Sequence, residues 1–181
     1  MQYSATHLVV MGVAGSGKST IAAALSQQLG WACAEADEFH PKSNIEKMTR
    51  GIPLQDEDRW PWLREIQAWM TAHAAAGRST VLTCSALKQS YRKLLSEAKG
   101  RVLFIHLDGG AALIGQRMQG REGHFMPPTL LPSQLATLEP LTTNELAAGS
   151  LRLDISNSPA EIVTAVLAGL TLPAQTELST R

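Results

Sequence analysis

The sequence has no surplus charge of either sign: 16 Lys and Arg balance 16 Asp and Glu, for a formal net charge of zero. No polybasic block appears, so nothing points to nucleic acid or an anionic membrane as a partner. Any anion bound by this chain must be held by local groups and not by a global field. Long hydrophobic runs are missing too. The N-terminal apolar run, Leu8 to Met11, is too short for a signal peptide or a membrane span. Cysteine is scarce. Cys33 and Cys84 lack metal-binding spacing and sit in strand-like runs, where they are expected as small buried hydrophobes. That usage suits a reducing, cytoplasmic setting.

What is present is a globular composition: 181 residues, 44% of them apolar and 18% charged. The length favours one domain with a sizeable core. No repeat or interdomain linker interrupts it. The expectation is a single domain over residues 1–172 and a polar, flexible tail over 173–181.

Short apolar runs alternate with helical patterns. Strands are expected at His7 to Gly12, Ala32 to Ala36, Thr80 to Ser85, Val102 to Leu107 and Leu151 to Ile155. Their nearly continuous apolarity suits strands covered on both faces. Ile21, Leu25 and Leu29 repeat at helical spacing, and Gly30 stops that helix. Asp58 is expected to cap a helix carrying Leu63, Ile66, Trp69 and Met70, with Gly77 at its end. Ser85 is expected to cap one carrying Leu87, Tyr91, Leu94 and Leu95, with Gly100 at its end. Ser158 to Glu161 reads as a capping box with Pro159 at the first helical position. Five βα units predict a three-layer α/β fold with a parallel sheet flanked by helices.

The segment "GVAGSGKS", Gly12 to Ser19, follows an apolar strand and precedes an amphipathic helix, the context a phosphate-binding loop requires. Its candidate nucleotide contacts are Gly12, Val13, Ala14, Gly15, Ser16, Gly17, Lys18, Ser19 and Thr20. Glycines let backbone N–H groups turn inward around phosphates at a positive helix end. Lys18 can reach the β and γ oxygens, and the Ser19 hydroxyl can ligate Mg2+. A nucleoside triphosphate with Mg2+ is thus expected, and neither a guanine-selecting N-K-x-D nor a transporter L-S-G-G-Q segment is present.

Farther along, Arg117 and Arg121 stand four apart and share a helix face, ahead of Gly123 and a Pro-Pro stop. They suit a short lid, about residues 121–132, over the triphosphate, because guanidiniums stabilise charge spread over phosphoryl oxygens. His124 can touch phosphate or pack beside Phe125. The "SNSPAE" turn after the last strand is a candidate for holding adenine, and equally a plain strand-to-helix turn.

Ligands of open parallel sheets sit at the carboxyl ends of the strands. The stretch "AEADEF" puts acids there. Glu35 and Asp37 are expected to alternate along the strand end and project to one side, roughly 7 Å apart. Asp37 is the candidate for orienting, and deprotonating, an acceptor hydroxyl. Glu35 is the candidate for holding Mg2+ through water. Cations lie downstream: Arg59, then Lys88 and Arg92, which are four apart on a helix. They suit an acceptor carboxylate. Trp60, Trp62 and Trp69 are expected to pack a helix, with Trp62 also a candidate pocket wall. Asp108 ends an apolar strand but precedes a helix, and is expected to cap it and not to bind metal.

Together "MGVAGSGKS", "DEFHPKSNIEKMTRGIPLQDEDRWPWL", "CSALKQSYRKLL" and "REGHF" resemble the gluconokinase family of small P-loop type, and the later "SQLATLEPL" is similar as well. The resemblance implies ATP-dependent phosphorylation of D-gluconate to 6-phospho-D-gluconate with Mg2+, feeding carbohydrate-acid catabolism. It also implies a nucleoside-monophosphate-kinase-like fold with strand order 2-3-1-4-5, and a homodimer. Where family members commonly carry Asp-x-Asp, this chain has Glu35-Ala36-Asp37. Likeness to the wider class, which includes shikimate kinases, assigns Asp37, Arg59 and the turn Ser85, Ala86, Leu87 and Lys88 to the acceptor. Ser85-Ala86-Leu87 stands where shikimate kinases have Gly-Gly-Gly, which argues against shikimate.

Overall fold

Alternation of apolar strands with amphipathic helices produces the expected layers in a computed structural model, which describes residues 5–119 and 131–170. In chain order the elements are β1 (Thr6–Met11), α1 (Lys18–Leu29), β2 (Ala32–Glu35), a 3-10 turn (Ala36–Phe39), α2 (Lys42–Thr49) and α3 (Asp56–Ala75). There follow β3 (Thr80–Thr83), α4 (Gln89–Ser96), β4 (Arg101–Asp108), α5 (Ala111–Gln119), α6 (Leu131–Thr137), α7 (Thr143–Ala147), β5 (Leu151–Asp154) and α8 (Pro159–Gly169). The strands form one parallel sheet in the order β2-β3-β1-β4-β5. Among the described residues no helix is long and apolar enough to cross a membrane.

The central strand shows why there are two cores. Side chains along a strand alternate faces. Leu8 and Val10 of β1 point into one cluster with Ile21 and Leu25 of α1 and Val163 and Val166 of α8. Val9 and Met11 point into the other, with Leu63, Ile66 and Met70 of α3 and Leu95 of α4. A strand buried on both faces has no polar side, hence the unbroken apolar run.

Several local expectations change. β2 is an edge strand, so Ala32 and Cys33 are exposed and Cys33 is not the buried hydrophobe expected. Cys84 is buried as expected. α3 begins at Asp56, and Asp58 lies inside its first turn, where its carboxylate accepts from the Gln55 N–H at 2.9 Å. Ser85 caps nothing: α4 starts at Gln89, leaving residues 85–88 as a loop. Asp108 is not a cap either, but accepts from Arg152 Nε at 2.7 Å. The α8 capping box forms as expected, with Ser158 Oγ accepting from Glu161 N and the Glu161 carboxylate from Ser158 N.

Candidate active site

The donor side grows from the end of β1. Gly12 has φ +145°, and a Cβ there would lie 2.7 Å from Ser16 Oγ and 2.8 Å from the Leu107 carbonyl. Gly15 has φ +82°, and its Cβ would meet Met118 Cγ of α5 at 2.6 Å. Both positions therefore exclude a side chain. Lys18 opens α1 and arches back, donating Nζ–H to the Gly12 carbonyl at 3.2 Å and the Val13 carbonyl at 3.1 Å. The Ser16 hydroxyl is buried within the loop and has no hydrogen-bond partner among the described residues. A buried hydroxyl without a partner costs stability, and an oxyanion seated in the loop would satisfy it. Ser19 and Thr20 are exposed in the first turn of α1.

Two contacts hold this loop from outside. The Gly12 N–H donates to the Ser85 carbonyl at 3.3 Å, tying the loop to the end of β3. The Ala14 N–H donates to Gln134 Oε1 at 2.7 Å. Gln134, on α6, lies in the segment "SQLATLEPL", whose similarity carried no role for any single residue. Its burial and its distance in sequence from the loop left no local signal. Arg117 is exposed on α5, where its Nη2–H donates to the Ile155 carbonyl at 2.8 Å. A Cβ on Gly17 would stand 4.0 Å from Arg117 Nη1, so this guanidinium stands by the phosphate loop. Arg121 and His124 lie outside the described residues.

The acceptor side gathers at the end of β3. Cys84 is buried there, and burial above all pushes its thiol up to about 12. Lys18 and Arg59 are close enough to pull that value down, and Asp37 to push it up. Lys18, Asp37 and Arg59, read from three separate segments, each bear electrostatically on this thiol. The next loop contains Ala86, whose φ of +45° makes it the non-glycine residue with positive φ among those described. That conformation costs roughly 1–3 kcal/mol and is typical of positions where surroundings dictate the backbone.

The acids differ from expectation in geometry. β2 stops at Glu35, and Asp37 stands on the 3-10 turn, so the two do not alternate along a strand. Glu35 accepts a short hydrogen bond from the Thr83 hydroxyl of the neighbouring strand. Asp37 is exposed. Trp62 does not wall a pocket: it is buried, donates Nε1–H to the Ala36 carbonyl at 2.7 Å and is covered by His40. The other two tryptophans pack as expected, Trp60 edge-on to Tyr91 and Trp69 edge-on to Phe39.

The three cations separate. Arg59 on α3 lies 5.7 Å from the centre of the Tyr91 ring. Lys88 Nζ pairs with Asp56 at 3.1 Å, and the Tyr91 hydroxyl donates to the same carboxylate at 2.5 Å. Those hydrogen bonds, Tyr91 first and then Lys88, hold the Asp56 carboxyl below its ordinary range. Burial, and then the Asp56 bond, push the Tyr91 phenol up. Asp56 was visible only as one acid of "QDED". Arg92 is not at the acceptor site at all. Its side chain is 0% exposed, its Nε–H and Nη2–H donate to the two Glu145 carboxylate oxygens at 2.6 and 3.2 Å, and Nη1 and Nη2 also donate to the carbonyls of Ala86, Leu87, Glu139 and Pro140. Helical spacing put Arg92 on the same face as Lys88, but α4 begins after Lys88, so the shared face never forms.

A family described as an AAA domain matches residues 8–141. Gluconokinase of Gluconobacter oxydans is 52% identical over 132 residues, covering 73% of this chain and 74% of that protein. The crystal structure of an unliganded sugar kinase from a Janibacter species superposes with a TM-score of 0.86 at 53% identity, over 92% of this chain and 94% of that one. The crystal structure of a gluconokinase from Sinorhizobium meliloti gives a TM-score of 0.79 at 42% identity, over 93% of each chain.

Proposed function

The chain belongs to the gluconokinase family, and on that premise we propose that it transfers the γ-phosphoryl group of ATP to D-gluconate, yielding 6-phospho-D-gluconate and ADP. The observation that carries this reading is the phosphate loop, where Gly12 and Gly15 leave no room for a Cβ and Lys18 arches back over the Gly12 and Val13 carbonyls. A donor lysine, an acid for a hydroxyl and a guanidinium for a carboxylate are what a phosphoryl transfer to a sugar acid needs.

Backbone amides of residues 12–19 hold the triphosphate, and Lys18 leaves the Gly12 and Val13 carbonyls for phosphate oxygens. Arg117, beside the phosphate loop, stabilises charge on the transferred group, a role the sequence assigns to Arg121 as well. Arg59 takes the gluconate carboxylate, with Lys88 beside it, partly neutralised by Asp56. The loop of Ser85 and Ala86 forms the floor, and His124 is a further candidate by sequence for touching phosphate. Asp37 accepts the proton of the terminal hydroxyl as its oxygen attacks the γ-phosphorus in line. The bond to the β-phosphate oxygen breaks, and ADP leaves with that oxygen. Positioning and charge stabilisation supply most of the acceleration.

Among the described residues no cluster of three or more His, Cys, Asp and Glu could hold a metal unaided. A Mg2+ that arrives with a nucleotide needs only one or two protein oxygens. The exposed Ser19 hydroxyl fits as a direct ligand, and Glu35 as a carboxylate acting through water. When bound, Mg2+ neutralises charge on the phosphate oxygens. The same family membership supports a homodimer, and the scarcity of cysteine a cytoplasmic location. It also supports one P-loop domain over residues 1–172, with a short lid at about 121–132.

The test is ADP release with a panel of acceptors. Gluconate is expected to stimulate turnover strongly, and shikimate and AMP to leave it at background. Turnover with either of those and none with gluconate would overturn the assignment.

A further inference from the structure

His40 and Asn44 have no part in the mechanism above, yet both are built into the acceptor side. His40 follows the turn that carries Asp37, and its side chain is only 4% exposed. Its ring lies flat on the Trp62 indole, with centroids 4.2 Å apart and planes inclined by 13°. Trp62 is fixed in turn by its hydrogen bond to the Ala36 carbonyl, in the same 3-10 turn. Stacking therefore sets the plane of the imidazole.

Asn44 sets its proton. It lies on α2, 2% exposed. Its Nδ2 faces the Asp58 carbonyl at 2.9 Å and His40 Nδ1 at 3.2 Å. A backbone carbonyl can only accept, so the Asn44 atom facing it must be the NH2 group. That group brings two protons and no useful acceptor, so its second proton goes to His40 Nδ1. Nδ1 is then the accepting nitrogen, and Nε2 carries the ring proton. Nε2 is the atom that faces Asp37, 3.9 Å from Oδ1.

We infer that His40 is a positioning residue for the transfer, and that its Nε2–H, directed by Asn44 and Trp62, holds one oxygen of the Asp37 carboxylate so that the other meets the acceptor hydroxyl. The Asp37 side chain is 80% exposed, and without a partner it would visit several rotamers. A distance of 3.9 Å is electrostatic contact, and a shift of about 1 Å closes it to a hydrogen bond, as happens when substrate tightens a site. Burial lowers the His40 pKa, an effect that Asp37 opposes and Arg59 reinforces. The ring is accordingly neutral at pH 7. A neutral N–H directs a carboxylate with less of the attraction by which a cation would resist its protonation.

The role rests on the assignment of Asp37 to the acceptor hydroxyl, and three variants separate the two. His40→Phe keeps the stacking but removes the N–H, whereas His40→Gln returns a donor near the Nε2 position. His40→Phe is expected to lower kcat with gluconate about 10- to 100-fold, with the Kd for ATP unchanged, and His40→Gln to recover part of the loss. In an Asp37→Asn background, His40→Phe is expected to cost nothing more. If Asp37→Asn is as active as the native enzyme, the assignment of Asp37 fails, and this inference with it. If Asp37→Asn is slow but His40→Phe is not, or if their losses multiply in the double variant, the inference alone is overturned. It is overturned equally if His40→Phe loses ATP affinity in step with kcat. Nitrogen NMR of the native protein gives a reading independent of any variant's folding. The Nε2–H tautomer is expected for His40 at pH 7, and the Nδ1–H tautomer would refute the chain of contacts.

Discussion

Replacing Arg92 by methionine should be among the most damaging single changes outside the phosphate loop. The substitution keeps an apolar stem of similar length and removes the guanidinium from a fully buried position. Glu145, whose side chain is largely buried, loses its cation, and the carbonyls of Ala86, Leu87, Glu139 and Pro140 lose their donors. Removing one partner of a buried ion pair costs about 3–5 kcal/mol, because the other charge stays behind unpaired. For a chain of this size each kcal/mol moves the melting temperature by roughly 2–4 °C, so the expected fall is about 6–20 °C. Adding Glu145→Gln should restore part of it by removing the stranded charge. A second consequence follows from Ala86, whose positive φ is held from the Arg92 side through its carbonyl. The KM for gluconate should rise more than the KM for ATP. Thermal unfolding and steady-state kinetics read both effects. A fall in melting temperature below about 2 °C would show that these contacts carry no net energy, and the reasoning would be refuted.

Gly12→Ala forces a side chain against the Leu107 carbonyl and into a glycine-only conformation, so ATP should no longer raise the melting temperature; a normal ATP-induced rise would contradict the loop geometry. Burial works against ionisation of Glu145, but its bonds to Arg92 and Thr142 outweigh it and hold the carboxyl below the ordinary value of 4.5. A depressed folded value means that this stability is present above the unfolded value and lost as pH falls through the folded one. Melting temperature should therefore drop on acidification below about pH 4.5, and the Glu145→Gln variant should have a shallower slope. At pH 8 a disulfide reagent should label exposed Cys33 in the native protein and Cys84 only after unfolding, since the latter is buried and its thiol is pushed up to about 12. Two fast-reacting thiols would contradict the packing beneath the acceptor site.

The strands were legible because burial on both faces writes itself into sequence as unbroken apolar runs. The phosphate loop was legible because its function needs glycine at set positions, as Gly12 and Gly15 bear out in the closeness of Leu107 and Met118. Helix starts were less so. Asp58 and Ser85 are good capping residues, but at the start of α3 Asp58 closes a capping box with Gln55, and at the start of α4 the Gln89 N–H is taken by Glu139. The main error was Arg92, for which helical spacing gave a shared face with Lys88. Spacing says nothing about whether a cation meets solvent, substrate or a carboxylate 53 residues away. Gln134, Glu145 and Asp56 were missed for the same reason: their partners are distant in sequence.

The balance of charge in the composition has a local counterpart around helices α2, α3, α4 and α7. Lys88 is compensated by Asp56, Arg92 by Glu145, and Lys47 by Asp58 at 2.7 Å. Arg59 stands amid this group, felt by Asp56, Asp58, Tyr91 and His40, yet among the described residues it has no carboxylate within 4.0 Å. Compensated cations offer an incoming anion little, because any gain must first offset the pair already formed. In the proposed mechanism, selectivity for a sugar acid over a neutral polyol therefore falls mainly to the Arg59 guanidinium. Such an arrangement separates two tasks that would interfere if one residue cluster did both. In that proposal Arg59 is the group for the fixed charge at one end of the acceptor. Asp37 is then the group for the neutral hydroxyl at the other, and the length of the polyol chain between them would decide which hydroxyl reaches the phosphate.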